Sequence, residues 1–435
     1  MCGFGITNIK NYSINNEKCK RRGPDLTTTV VINGVSFVHN LLHITGKLTP
    51  QPFISDNIVC TYNGEIYNYK ELGDYKSDGE CIIDQYKIHG KDFARYLDGE
   101  YAICIIDFSK QCVYLTSDTF AIKPLWFNFN LNQFAIVSYK SQLDKINLTK
   151  IRPVPPNTTL VFDLNTGKKL HTIINAVFNL NQYKNNYDDW LNAFSNSIKK
   201  RTANTNKNIF IGLSSGYDSG AIACELKKQN INFKSYCISN GENKQILNKR
   251  FVLTRNVENI IITENSILEI LNELKETCEN YTNNDYEILR DPGSMGLAII
   301  CKKARQDNRI IYLSGHGADE TLTNYGNLGI PPIDHKETYN PPALFPDNLS
   351  SIFPWANFFK ARNIAFLKKE EYIAGNFGIE TRYPFLDKQL VQEFLSLSAA
   401  LKNTVYKSCL DEYLKINNYP YDKNQKSGFN PFDGL

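Results

Sequence analysis

The 435-residue chain has no C-x-x-C pair, no apolar run near membrane-spanning length, no internal repeat and very little net charge. Each absence removes a class of protein. Without C-x-x-C pairs, the usual zinc and dithiol readings of its eleven cysteines fall away. Without an apolar run of roughly 20 residues there is no membrane helix to assign. Lys plus Arg number 49 and Asp plus Glu 45, for a net +4, which argues against a nucleic-acid or membrane-surface protein driven by bulk charge. The first residues show no secretory n-region and h-region. Several cysteines lie in apolar runs such as Ala102-Ile103-Cys104-Ile105-Ile106 and read as small buried hydrophobes. A reducing, cytoplasmic setting is expected.

What is present is ordinary globular composition, 42% apolar and 22% charged, which speaks against wholesale disorder. The length gives a soft prior for two or three domains at about 150 residues each. Two patterns follow one another along the chain. Residues 27–32, 35–38, 57–62 and 101–107 are β-branched, apolar runs bounded by Gly, Asn and Asp. Residues 80–89 have helical apolar spacing, and 158–162 with 168–174 form a hairpin that closes this part. Residues 175–188, polar and rich in Asn and Tyr, read as a linker. Strands then alternate with helices. Strands are expected at 208–213, 233–239, 259–263 and 309–314, and helices at 220–229 and from Ile267 onward. Such alternation implies a parallel, helix-covered sheet. A Pro-rich stretch at 330–354 cannot be one regular element, and a helical C-terminal part follows it.

One cysteine stands apart. Cys2 follows the initiator Met. Once exposed as the amino terminus, its thiol, with a pKa near 8.5, would lie beside its own α-amine, with a pKa of about 7.7–8.0. That amine is a built-in general base. Behind it come Arg21-Arg22-Gly23-Pro24-Asp25, Tyr62-Asn63-Gly64-Glu65-Ile66-Tyr67-Asn68 and Ser77-Asp78-Gly79-Glu80. Taken singly, Asn63-Gly64 reads as a hairpin turn and Ser77-Asp78 as a helix N-cap. In this order behind Cys2 they read differently. An amide and a backbone N–H can serve an oxyanion, and a carboxylate can serve a substrate ammonium.

With Leu97-Asp98-Gly99-Glu100-Tyr101-Ala102, these segments resemble the class II, N-terminal-nucleophile glutamine amidotransferases over roughly the first third of the chain. The resemblance implies Cys2 as nucleophile and Asn63 and Gly64 as oxyanion hole, with Asn63, Glu65 and Asp78 binding glutamine. It also exposes a departure. The family pairs the glutamine carboxylate with an Arg in a segment like H-x-R-L-x-I, whereas this chain reads His39-Asn40-Leu41-Leu42-His43-Ile44. Leu41 removes a charge-assisted contact. The i, i+4 pair His39 and His43 has metal-ligand spacing, but no further ligand cluster accompanies it.

In the second part, Ile209-Phe210-Ile211-Gly212-Leu213 leads into Ser214-Ser215-Gly216-Tyr217-Asp218-Ser219-Gly220 and then an apolar helix. Strand, Ser/Gly loop and helix N-terminus make an anion cradle. It is not a Walker A loop, since no Gly-Lys-Ser/Thr follows. The loop resembles the S-G-G-x-D-S pyrophosphate loop of ATP pyrophosphatases, with Ser215 in place of the first Gly. Leu313-Ser314-Gly315-His316-Gly317-Ala318-Asp319-Glu320, Gly378-Ile379-Glu380-Thr381-Arg382-Tyr383-Pro384-Phe385-Leu386-Asp387 and Lys426-Ser427-Gly428-Phe429 then resemble segments of the asparagine synthetases.

By that resemblance Leu213, Ser214, Gly216, Asp218, Ser219, Ile238, Ser314 and Gly315 bind ATP. Asp218 and Asp319 bind Mg²⁺, and Lys426 neutralises the departing pyrophosphate. His316 stands where asparagine synthetases have an acidic residue. An imidazole can act as a base near neutral pH but cannot supply the same negative charge. The implied fold is an N-terminal αββα sandwich over 2–175, followed over 187–435 by a parallel-sheet ATP-pyrophosphatase domain with a helical C-terminal part. The implied activity is ATP- and glutamine-dependent amide synthesis on a carboxylate through an acyl-adenylate, with aspartate as the default acceptor. Two alternatives stay open: a sugar acid, cell-wall or natural-product carboxylate as acceptor, and a non-catalytic homologue. Glutamine, ATP and the acceptor are the expected partners, with no nucleic acid or membrane, and homodimerisation is left open.

Overall fold

The computed structural model describes residues 2–144, 150–283, 286–323 and 344–423. The first part contains strands β1 (Gly3–Thr7), β2 (Leu26–Ile32), β3 (Val35–Leu41), β4 (Phe53–Ser55), β5 (Ile58–Ile66), β6 (Gly99–Asp107), β7 (Cys112–Ser117), β8 (Trp126–Asn130), β9 (Gln133–Val137), β10 (Arg152–Pro153), β11 (Thr158–Asp163) and β12 (Lys169–Ile174). Its helices are α1 (Glu17–Arg22), α2 (Tyr69–Leu72) and α3 (Cys81–His89). The strands form two antiparallel six-stranded sheets, in the orders β10-β8-β9-β1-β3-β2 and β12-β11-β7-β6-β5-β4. Phe4, Ile6, Phe37, Cys104, Ile106, Leu115, Phe134 and Phe162 fill the space between them. Apolar side chains of α3 (Ile82, Ile83 and Tyr86) cover the other face of the second sheet through Tyr62, Ile103, Ile105 and Tyr114. With α1 against β1 and β3, the arrangement is the expected αββα sandwich.

The second part contains β13 (Asn208–Gly212), β14 (Phe233–Cys237), β15 (Val257–Asn259), a short hairpin β16 (Thr282–Asn283) and β17 (Tyr286–Glu287), β18 (Arg309–Leu313) and β19 (Glu380–Arg382). Five of these form a wholly parallel sheet in the order β15-β14-β13-β18-β19. The helices are α4 (Asp188–Thr202), α5 (Tyr217–Lys228), α6 (Lys244–Thr254), α7 (Glu264–Thr277), α8 (Pro292–Gln306), α9 (Ala318–Leu322), α10 (Ala361–Asn376), α11 (Lys388–Ser396), α12 (Ala399–Lys402) and α13 (Ser408–Ile416). Local chemistry fixes several starts. Asp291 accepts the Gly293 N–H at 2.8 Å ahead of Pro292, and Asp387 accepts from Gln389 and Leu390 at 3.0 and 3.2 Å. Phe194 anchors the core, with ring centroids 5.6, 5.3 and 5.0 Å from Trp190, Phe385 and Tyr413.

One expectation is corrected, and one reading weighed for a motif taken singly does not apply. The strand expected at 259–263 is Val257–Asn259 instead, because its partner β14 ends at Cys237 and the chain then turns toward Thr263, the N-cap of α7. Asn63-Gly64 is no hairpin turn but the interior of β5, paired with Ala102 and Tyr101. Of the Pro-rich stretch at 330–354, residues 330–343 lie outside the described residues. All eleven cysteines are free thiols, and no described helix is long and apolar enough to cross a membrane.

The two parts meet through mostly buried ion pairs, each with one member per part except Lys200–Asp387, which lies within the second. Arg22 reaches Glu371 at 2.9 Å, Lys123 reaches Glu371 at 2.9 Å, and Arg201 reaches Glu100 at 2.8 Å. Arg382 lies 3.2 Å from Glu65, and Lys200 bridges Asp98 at 2.7 Å and Asp387 at 2.6 Å. Burial alone would raise the Asp387 carboxyl, but Lys200 and Arg201 pull it down to about 2. Its contribution is therefore present above the ordinary Asp range and lost as pH falls through about 2. Asp387→Asn should be destabilised most at neutral pH. The gap to the wild type, read from denaturation midpoints across a pH series, should close as pH falls from about 4 to about 2. Phe194→Ala should cost about 3–5 kcal/mol by chemical denaturation.

Candidate active site

Cys2 immediately precedes β1, which lies between β3 and β9 in the first sheet. The strand thus delivers the thiol to one end of the sandwich, against β5 of the other sheet. Cys2 is 5% exposed. Its N–H donates to Asn63 Oδ1 at 2.9 Å, and its Sγ lies 3.9 Å from the Leu42 carbonyl. With Oδ1 thus engaged, the Asn63 Nδ2 is buried and has no hydrogen-bond partner. The next residue, Gly64, has φ +144° and passes so close to β6 that a Cβ would stand 2.0 Å from the Glu100 carbonyl. Only glycine fits there. An unpartnered amide donor and a closely packed glycine N–H beside a cysteine are the parts of an oxyanion site. Burial pushes the Cys2 thiol up to about 11, so the resting sulfur is protonated.

Two further carboxylates surround this end of the sandwich. Glu65 accepts the Thr45 hydroxyl at 2.6 Å and faces Arg382, and burial drives its pKa well above the usual range. Asp78 accepts the Tyr62 hydroxyl at 2.7 Å and the Ile66 N–H at 2.8 Å, and burial raises it to about 6. Leu41 ends β3 with its side chain buried. His39 and His43 do not converge. Their Nε2 atoms face the carbonyls of Tyr62 and Gly46, and burial pushes His39 down to about 3.

The second constellation sits at the carboxyl ends of β13, β14 and β18, where open parallel sheets bind ligands. Leu213 follows β13 and donates to the Tyr236 carbonyl at 2.8 Å. Ser214 N–H donates to Ser219 Oγ at 3.0 Å, and Gly216 N–H to Ser214 Oγ at 3.2 Å. Ser215, the departure from S-G-G, is accommodated: its N–H donates to Glu242 at 2.7 Å and its hydroxyl bonds the same oxygen. Arg250 lies beneath the loop. It bonds the Ser214 carbonyl, the Gly216 carbonyl at 2.9 Å and the Pro420 carbonyl at 2.9 Å. Gly220 makes room for it, since a Cβ there would come within 2.3 Å of the guanidinium. Ile238 and Ser314 are buried beside the loop, and a Cβ on Gly315 would stand 3.0 Å from Asp218 Cβ.

Asp218 and Asp319 converge on a single ammonium. Lys407 Nζ lies 2.6 Å from Asp218 and 3.0 Å from Asp319, and the Tyr406 hydroxyl donates to Asp319 at 2.6 Å. Burial raises Asp218 to about 6 against the pull of Lys407. Lys407 has φ +48°, a left-handed backbone costly for a side-chain-bearing residue. Sequence reading missed it, because a lone lysine before an apolar helix carries no motif. It missed Arg250 and Glu242 for the same reason. Carboxylate oxygens that already share one cation suit Mg²⁺, so Asp218 and Asp319 fit the ion.

His316 Nε2 lies 2.9 Å from Asn363 Oδ1. The Asn363 amide is oriented by donating Nδ2–H to the Phe358 carbonyl at 2.8 Å, so Nε2 is the donor of that bond. The base position left to the ring, Nδ1, faces Glu320 at 3.7 Å. Lys426 lies outside the described residues.

Two domain matches span most of this arrangement. Residues 1–189 match the glutamine amidotransferase domain family, and residues 189–364 match the asparagine synthase family. A Methanocaldococcus jannaschii protein, assigned by name to the glutamine-hydrolyzing asparagine synthetases, is 26% identical over 447 residues, covering 93% of this chain and 75% of its own. The glutamine-hydrolyzing asparagine synthetase of Mus musculus is 26% identical over 453 residues, covering 91% of this chain and 76% of its own. A solved regulatory enzyme of purine biosynthesis superposes with a TM-score of 0.31 and 14% identity, covering 54% of this chain and 65% of that one. The chain is a glutamine-hydrolysing ligase, with an amidotransferase domain ahead of a synthase domain. In domain order, and at 26% identity over 93% of its length, it is similar to the glutamine-hydrolysing asparagine synthetases.

If Asp218 and Asp319 form a shared cation site, removing the ammonium should open it. Lys407→Met should gain more thermal stability from added Mg²⁺ than the wild type does, by scanning fluorimetry. An equal gain would refute the shared site.

Proposed function

We propose that this protein transfers ammonia from glutamine to a carboxylate activated by ATP. The reading divides the chain near residues 176–187. In the first part, Cys2 Sγ attacks the glutamine side-chain carbonyl. Asn63 Nδ2 and the Gly64 N–H stabilise the oxyanion, ammonia leaves, and water releases glutamate from the thioester. Glu65 and Asp78 hold the glutamine ammonium. The chemistry requires a free α-amine on Cys2 as base, which the intact mass of the purified chain checks.

In the second part, the acceptor carboxylate attacks the α-phosphorus of ATP, pyrophosphate leaves, and ammonia displaces AMP from the acyl-adenylate. Ser214, Gly216 and Ser219 form the loop at the start of α5 that receives the phosphates. Lys407 and Lys426 offset charge on the departing pyrophosphate. Mg²⁺, when bound by Asp218 and Asp319, adds further charge neutralisation at the phosphates. Leu213, Ile238, Ser314 and Gly315 contact the nucleotide. Ammonia crosses the interface between the parts, and the setting is cytoplasmic.

The single observation that carries the reading is the buried, unpartnered Asn63 amide beside Cys2. Aspartate is the default acceptor by family. A different carboxylate is the second reading, favoured by His316, whose Nε2 is committed to Asn363 and which brings no negative charge. Cys2→Ser should lose glutamine hydrolysis by more than about 100-fold and keep ATP–pyrophosphate exchange. Asp218→Ala should lose exchange and keep glutamine hydrolysis. Exchange measured across a panel of carboxylates separates the acceptors, and no exchange with any acid would leave a non-catalytic homologue.

A further inference from the structure

Arg22 is fully buried at the junction of the two parts. Its Nε donates to the Cys2 carbonyl at 2.8 Å. Its Nη1 donates to the Tyr139 hydroxyl at 3.0 Å and to the Glu371 carbonyl at 2.9 Å. Its Nη2 donates to Glu371 Oε2 at 2.9 Å. Three faces of the guanidinium are thus taken, one by the nucleophile's own main chain and the others by Tyr139 and the synthase-domain helix α10. The other oxygen of Glu371 accepts Lys123 Nζ at 2.9 Å and the Tyr383 hydroxyl at 3.3 Å, so the carboxylate is itself fixed from both domains. Helix α10 comes this close because residue 375 is glycine. A Cβ there would stand 2.7 Å from the Tyr139 hydroxyl and 2.9 Å from Arg22 Nη1.

We propose that Glu371 is a positioning residue for the glutaminase centre. From the synthase domain it holds Arg22, and through Arg22 it holds the main chain of Cys2. The inference rests on the reading of Cys2 as nucleophile. A buried ion pair returns little net stability compared with apolar residues of the same volume. What it imposes is direction, because a planar guanidinium bound on several edges cannot turn. Cys2 is the residue that benefits, since a nucleophile displaced by about 1 Å can lose about 100-fold in rate. The same helix carries Asn363, the partner of His316, so one rigid element touches the working residues of both centres.

The test is the alkylation rate of each cysteine in the full-length protein, measured with iodoacetamide and peptide mass spectrometry at pH 8. In the wild type, burial keeps Cys2 slow. In Glu371→Gln, release of the Cys2 main chain should raise its rate at least threefold while the other ten cysteines keep their rates. Glutamine hydrolysis should fall at least tenfold in kcat with KM within twofold. Glu371→Asp should lie between the two, and it carries the test alone if Glu371→Gln does not fold. An unchanged Cys2 rate overturns the proposal. So does a joint rise of Cys2 and Cys19, its neighbour on α1, which would make Glu371 only a clamp on the fold. A wild type that does not hydrolyse glutamine overturns the nucleophile reading instead, and with it the kcat arm, while the alkylation arm still decides whether Glu371 holds Cys2.

Discussion

The Glu371 carboxylate is the constraint on which the two halves of this molecule depend. Fully buried, it faces two cations of the amidotransferase part, Arg22 and Lys123. Burying such charges costs several kcal/mol per ion unless each is matched and hydrogen-bonded, and here matching requires residues about 250–350 positions apart in sequence. The adjacent set of Glu100, Arg201 and Asp387 obeys the same rule. The interface is thus a place where partners must sit at set distances, unlike an apolar face that tolerates sliding.

Each centre also shows how burial works against reactivity and what offsets it. The Cys2 thiol is raised by desolvation, so the resting sulfur is protonated, and on the nucleophile reading proposed above its activation falls to an α-amine and to substrate entry. At the pyrophosphate loop the problem is reversed. Main-chain carbonyls there would oppose an anion, and the Arg250 guanidinium binds two of them, those of Ser214 and Gly216, beneath the loop. Two carboxylates would repel one another without a cation between them, and Lys407 supplies it at the cost of a strained backbone.

Much of this was legible in the sequence. The strand-rich first part, the alternating second part and the linker between them follow from periodicity and turn residues. Cys2, Asn63, Gly64, Asp218 and Asp319 sit in dense motifs, and the structure brings them into two groups. The failures have physical causes. Asn63-Gly64 looks like a turn because that pair dominates tight hairpins, yet here the glycine is needed for close passage against β6. The strand near residue 259 was displaced because an edge strand ends where its partner ends, not where its own apolar run ends. Lys407, Arg250 and Glu371 left no trace, since a single charged residue takes its meaning from a partner far away in sequence.

The division of ion pairs between the two parts has an evolutionary consequence. Arg22, Lys123, Glu65 and Glu100 belong to one domain, while Glu371, Arg382 and Arg201 belong to the other. Neither domain can be exchanged for that of a distant relative without stranding charges in a dry interface. The two halves are modules in architecture but not in heredity. Change at this seam must come in compensating pairs, whereas a residue with no buried partner across it can vary by itself.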